Sequence, residues 1–192
     1  MRIGILGWGS LLWEGGAEFD ECHEPWRFEG PSLRIEFSRI SSTRLGALTL
    51  VIDAEHGAPT TVAWCLSKRA NVDAAVQDLR ARKNTTPQNI GHALVDRATP
   101  AAATTREDPL AAWACAHKLD AVVWAALASN FQERTGQAFS VHTALAYLNA
   151  LAPEAKARAA EYVRRAPGFV MTPLRIALQT EPWFSQPGNG IT

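Results

Sequence analysis

Arg2-Ile3-Gly4-Ile5-Leu6-Gly7-Trp8-Gly9-Ser10-Leu11 opens the chain with a short apolar run that stops on glycine. Arg2 to Leu6 reads as a buried strand, because an unbroken apolar run of this length has no polar face to offer water. It feeds directly into Gly7-Trp8-Gly9-Ser10. Glycine lets the backbone turn sharply and lets successive N–H groups face a ligand with no side chain between. Two readings of this turn stand side by side. One is a tight turn that packs Trp8 and Trp13 into the core. The other is a loop that grips the carboxylate or phosphate of a small molecule, with the amides of Trp8 to Leu11 lining the mouth of a cavity and pointing inward.

Working outward, Leu33 to Arg39 alternates, with Leu33, Ile35 and Phe37 on one face and Arg34, Glu36 and Ser38 on the other. That pattern predicts a half-buried strand whose polar face meets water. Ala47 to Ile52 and Thr60 to Leu66 are β-rich, and the turn residues Asp53 to Pro59 between them predict an antiparallel hairpin. The period then becomes helical. Asn71 caps a helix with Val72, Val76 and Leu79 inward and Arg80, Arg82 and Lys83 at its far end, where cations suit the helix dipole. Asp108-Pro109 opens a helix to about His117, and Asp120 to Leu127 returns to a β-rich run. Ser140 caps a helix with Val141, Leu145 and Leu148 inward, and Pro153 opens another that ends before Pro167. Ala98 to Thr105 reads as a flexible connection and the tail from Glu181 as poorly ordered. Strands early and helices late predict an α+β fold, an antiparallel sheet or barrel with helices packed outside it.

A chain of 192 residues, 47% hydrophobic and 20% charged, suits one globular domain, read here as 1–180 with a tail over 181–192. Nineteen basic residues balance nineteen acidic ones, so no net field attracts nucleic acid or an anionic membrane. The expected partner is a small molecule or another protein. No apolar stretch approaches the roughly 20 residues of a membrane helix, and the first apolar run is too short for a signal-peptide core. Cys22, Cys65 and Cys115 lie in no paired spacing, which points to reduced thiols and a cytoplasmic setting.

Sharper motifs are absent. A dinucleotide fingerprint needs a third glycine where Leu12 stands, and Gly15-Gly16 interrupts the helix that should follow. A serine-hydrolase elbow needs glycines where Trp8 and Leu12 flank Ser10. The five histidines are scattered and only the adjacent Cys22-His23 pairs two ligand types, so no metal site is expected.

Gly4-Ile5-Leu6-Gly7-Trp8-Gly9-Ser10-Leu11-Leu12-Trp13 resembles the N-terminal signature of the γ-glutamylcyclotransferase-like superfamily, which includes the ChaC-type glutathione-degrading enzymes, with Trp8 at the usual tyrosine. The later half, with Trp124, Phe131, Tyr147-Leu148 and Thr172-Pro173-Leu174-Arg175, resembles a bacterial subgroup of it. The resemblance implies a small mixed, largely antiparallel β-barrel with helices outside. It implies that Gly7, Trp8, Gly9, Ser10 and Leu11 hold the amino-acid end of a γ-glutamyl group, and that no cofactor is required. The chemistry implied is attack of the substrate's own α-amine on its γ-carbonyl, releasing 5-oxoproline and an amine. The family's general base is a glutamate just after the helix, and that position here holds Lys83. A lysine with its ordinary pKa near 10.4 is protonated at neutral pH and accepts no proton. Glu36, on the second strand, is the alternative base, although a solvated surface carboxylate is the commoner role, and Glu14 is a weaker candidate. Whether the chain is an enzyme stays open between cyclotransfer and a catalytically altered member that binds a small carboxylate or amine ligand.

Overall fold

The structure, a computed structural model, describes residues 1–95 and 109–185. It is α+β, with seven strands in two largely antiparallel sheets among the described residues. The described strands are β1 (Ile3–Gly7), β2 (Ser32–Ile40), β3 (Leu48–Ile52), β4 (Ala58–Thr61), β5 (Ala63–Leu66), β6 (Ile90–Leu94) and β7 (Ala121–Ala125). The described α-helices are α1 (Ala17–Asp20), α2 (Val72–Lys83), α3 (Pro109–Ala116), α4 (Phe131–Thr135), α5 (Val141–Ala150), α6 (Pro153–Arg165), α7 (Pro173–Leu178) and α8 (Pro182–Ser185). They form two compact units interleaved along the chain: Met1–Leu33 with Thr61–Leu127, and Arg34–Thr60 with Ala128–Thr192.

In the first unit the sheet order is β5-β1-β7-β6. All five residues of β1 are buried, as an apolar run with no polar face requires. β1 pairs antiparallel with β5, Leu6 opposite Trp64, and parallel with β7, Ile5 opposite Val123. Helix α2 covers one face. Asn71 Oδ1 accepts from the Ala74 N–H at 2.9 Å, and Val72, Ala75 and Leu79 are buried with Ile3, Ile5, Phe19 and Val123. The inner face thus turns on Ala75, with Val76 only partly buried. Ile90–Leu94, which no sequence signal marked, pairs antiparallel with β7.

In the second unit β2 lies between β3 and β4. This corrects the expected hairpin of Ala47–Ile52 with Thr60–Leu66. β3 pairs with β2, Glu36 opposite Val51, while the latter run divides at Val62 into β4 and β5, which belong to different sheets. Val62 N–H donates to Pro31 C=O at 3.0 Å and so serves neither ladder. The two sheets remain open, so no closed barrel forms among the described residues. The expected solvated face of β2 is corrected in part: Arg34 is exposed, but Glu36 and Ser38 are 0% exposed.

Helix starts follow the local chemistry. Ser140 Oγ accepts from Thr143 N–H at 3.1 Å and Thr143 Oγ1 accepts from Ser140 N–H at 2.9 Å, a reciprocal cap. Pro153 opens α6 at its first turn. Pro109 begins α3, while Asp108 and the Ala98–Thr105 connection lie outside the described residues. Pro182–Ser185, inside the segment expected to be disordered, is a helical turn that buries Phe184; the rest of that tail, from residue 186, lies outside the described residues. No helix among the described residues is long and apolar enough to cross a membrane.

Candidate functional site

The Gly-Trp-Gly-Ser turn ends β1 inside the first unit. Trp8 is extended, Gly9 takes the left-handed region at φ +64°, and Gly9–Leu12 closes a 3₁₀ turn whose Ser10 C=O accepts from Glu14 N–H at 2.9 Å. A β-carbon at residue 9 would be strained in that conformation. A β-carbon at Gly7 would lie 2.5 Å from Cζ3 of Trp26, so this glycine is what lets the indole lie against the strand end. Trp26 in turn packs its ring 5.1 Å from that of His23.

His23 is placed by backbone pairing. Glu24 N–H donates to Leu66 C=O at 2.8 Å, Lys68 N–H to Cys22 C=O at 2.8 Å and Arg27 N–H to Trp64 C=O at 2.8 Å. These bonds hang residues 22–27 along the open edge of β5 and cover it. A cleft of ≈ 570 Å³ opens there, walled by Leu11, Trp13, Glu14, Asp20, His23, Trp26 and Lys68 among others. Of the five loop residues expected to bind, Leu11 lines this cleft. Trp8, Gly9 and Ser10 are buried and are not on its wall.

The cleft wall mixes charges of both signs with aromatic faces. Lys68 Nζ donates to Glu21 C=O at 3.1 Å, which uses one of its three hydrogens. Glu24 is paired to Arg27 at 2.9 Å. Asp20 Oδ2 accepts from Gly16 N–H at 3.0 Å. His23 is 6% exposed, between Phe19 at 4.8 Å and Trp26. Its Nδ1 lies 2.5 Å from Glu24 C=O, which can only accept, so Nδ1 carries the hydrogen and a neutral ring has its lone pair on Nε2. Nε2 has no hydrogen-bond partner, and Asp20 Oδ1 stands 3.7 Å from it.

A second cleft of ≈ 680 Å³ is walled by Gly15, Gly16, Cys22, Arg69, Asp78 and Arg82 among others. Arg69 makes a two-pronged contact with Asp78 at 2.7 and 3.0 Å and donates to Cys22 Sγ at 3.1 Å. Burial, with the Asp78 charge behind it, pushes the Cys22 thiol above its ordinary value despite Arg69, so it is no activated thiolate. Cys22, Cys65 and Cys115 are all unbridged. Arg82 donates to Glu14 C=O and packs its stem on Gly16. Lys83, at the last position of α2, is half-buried and lines neither cleft. Among the described residues no group of three or more His, Cys, Asp or Glu could hold a metal ion.

Glu36 belongs to the second unit and is not on the wall of either cleft. Its Oε1 accepts from Phe37 N–H at 2.7 Å and its Oε2 from Leu174 N–H at 3.2 Å. Burial drives its pKa above the ordinary 4.5; the Thr172 hydroxyl and the two N–H groups pull it down without cancelling that rise. The folded state therefore keeps this proton to a higher pH than the unfolded chain does. The stability Glu36 contributes is fully present below 4.5 and is lost as pH rises through the raised folded value. Unfolding free energies of wild type and Glu36→Gln, measured in urea from below that value to neutrality, are expected to diverge in favour of the glutamine as pH rises. A difference independent of pH would show that Glu36 titrates normally. Asp53 behaves oppositely. Burial raises it, but His56 N–H at 2.9 Å and the His56 ring hold it below the usual carboxylate range as the cap of its own turn.

Asp20, His23, Trp26 and Lys68 were not singled out from sequence for this cleft. The signal that could have found His23 is its spacing: Phe19, His23 and Trp26 stand at i, i+4 and i+7, a polar ring set in an apolar stripe. Compared with protein-family models, curated proteins and solved structures, the chain matches none.

Proposed function

We propose that this chain handles a γ-glutamyl-type compound in the cleft beside Leu11 and His23, cyclising it to 5-oxoproline and a free amine, on a fold of the γ-glutamylcyclotransferase-like kind. The observation that carries the reading is the cleft wall itself. It brings a lysine, Lys68, and carboxylates, Asp20 and Glu14, to one concave surface with the aromatic faces of Trp13 and Trp26. An amino-acid head group needs a cation for its carboxylate and acceptors for its ammonium, and an apolar remainder suits indole faces. The resemblance of Gly4–Trp13 to the superfamily's signature points to the same ligand class.

Lys83, standing where the superfamily has its acid, favours a second reading in which the ligand is bound and not turned over. The test is 5-oxoproline release from γ-glutamylalanine, with binding followed by calorimetry, for wild type, Lys68→Ala and Lys83→Glu. Cyclotransfer predicts turnover by wild type and a loss of affinity of about 10-fold or more in Lys68→Ala. Binding alone predicts heat without product in wild type and in Lys83→Glu alike, since residue 83 lines neither cleft. Neither heat nor product in wild type would refute both.

A further inference from the structure

We infer that His23 Nε2 and Asp20 Oδ1 form an amine subsite of the first cleft, receiving a primary ammonium of the ligand; this rests on the amino-acid ligand class proposed above. The two atoms face each other at 3.7 Å, beyond hydrogen-bond length. In the neutral ring, with its hydrogen donated to Glu24 C=O, both are acceptors, so neither satisfies the other. Nε2 is buried with no partner, and native structures leave few such atoms unpaired. The ring cannot turn to find one, since Phe19 and Trp26 pack against it at 4.8 and 5.1 Å. What the pair lacks is a donor with at least two hydrogens. An ammonium has three, and the Asp20 carboxylate favours its charge.

Access comes through Asp20. Its side chain is 50% exposed against 5% for His23, and both line the cleft. Under cyclotransfer the same nitrogen acts as base. Nε2 takes one proton from the α-ammonium, and the freed amine lone pair forms a bond to the γ-carbonyl carbon while the C=O π pair moves to oxygen. The oxyanion then re-forms the carbonyl and expels the amide nitrogen, which takes the first proton from the imidazolium; the surplus hydrogen left on the lactam nitrogen passes through Nε2 to the departing amine. The products are 5-oxoproline and an ammonium, with protons and charge conserved and no change of oxidation state.

The experiment follows the His23 side-chain nitrogens by NMR in ¹⁵N-labelled protein during titration with L-glutamate, and separately with glutarate, which lacks only the amine. Glutamate is expected to move the Nε2 resonance and glutarate to leave it. His23→Asn, whose amide can still donate to Glu24 C=O, should bind glutamate about 10-fold or more weaker. With γ-glutamylalanine, the same variant should lose about 10²–10⁴-fold in kcat and show a KM raised by about the same factor as the loss of glutamate affinity. An Nε2 that already carries a hydrogen in the ligand-free protein, or that ignores glutamate, overturns the subsite. So does a His23→Asn variant with wild-type binding and turnover, which would leave the cyclotransfer reading standing. A glutamate-dependent shift in a protein that makes no 5-oxoproline supports the subsite and removes the cyclotransfer reading. The wild-type titration decides the matter even if His23→Asn fails to fold.

Discussion

Phe131→Ala is expected to lower the unfolding free energy by about 3–5 kcal/mol, the usual cost of emptying a buried aromatic site. Phe131 is 1% exposed at the start of α4 and meets Phe139 edge-on at 5.3 Å and Tyr147 at 5.8 Å. The backbone around it is pinned, because Asn130 Oδ1 accepts from Ile40 N–H at 2.8 Å and its Nδ2 donates to Ile40 C=O at 3.1 Å. A pinned backbone cannot collapse into the space the ring leaves, which places the loss at the upper end of the range. The measurement is the urea midpoint, with the slope checked for constancy. A loss below about 1 kcal/mol would mean that the three rings do not pack together.

Arg175→Ala should cost about 2–4 kcal/mol, through the loss of a donor to Ala166 and Val170 C=O rather than a cavity, since Pro167 C=O also accepts from Val170 N–H. From α7 its Nη1 donates to Pro167 C=O at 2.6 Å and Val170 C=O at 2.8 Å, and its Nη2 to Ala166 C=O at 2.9 Å. Those carbonyls lie just past the end of α6, where carbonyls have no helical partner and a cation is favoured. Burial pulls the Arg175 pKa below its ordinary value, yet a guanidinium stays charged at neutral pH. Arg175→Lys separates charge from geometry. An ammonium keeps the charge but cannot reach three divergent oxygens, so its stability should fall between wild type and alanine. Equal stability of lysine and arginine variants, read from the same urea curves, would show that charge alone matters.

Local signals determined much of the scaffold. β1 announces itself as an apolar run with no polar face, and the Asn71 side chain, the Ser140–Thr143 cap and Pro153 start their helices where the sequence places them. Each depends on residues within a turn of one another, so each is present in the sequence before any tertiary contact forms. Strand partners were not legible in that way. The β-rich runs around Asp53–Pro59 look like a hairpin locally, and only the insertion of β2 between β3 and β4 decides otherwise.

The site divides along the same line. That the Gly7–Ser10 turn is special could be read directly, but that Gly7 is there to admit the Trp26 indole depends on a segment nineteen residues away by number. Period-two alternation marked Glu36 as lying on a polar face, whereas Leu174, 138 residues further on, covers that face and buries the carboxylate. His23 carries no motif of its own. Its environment is made by Phe19, Trp26, Asp20 and the edge of β5, and the backbone bonds to Leu66 and Lys68 bring them together. A sequence specifies which side chains can bear charge or donate a proton. Which of them lose water, and which acceptor is left facing another acceptor, is decided by long-range packing, because desolvation depends on what covers a group rather than on what adjoins it in the chain.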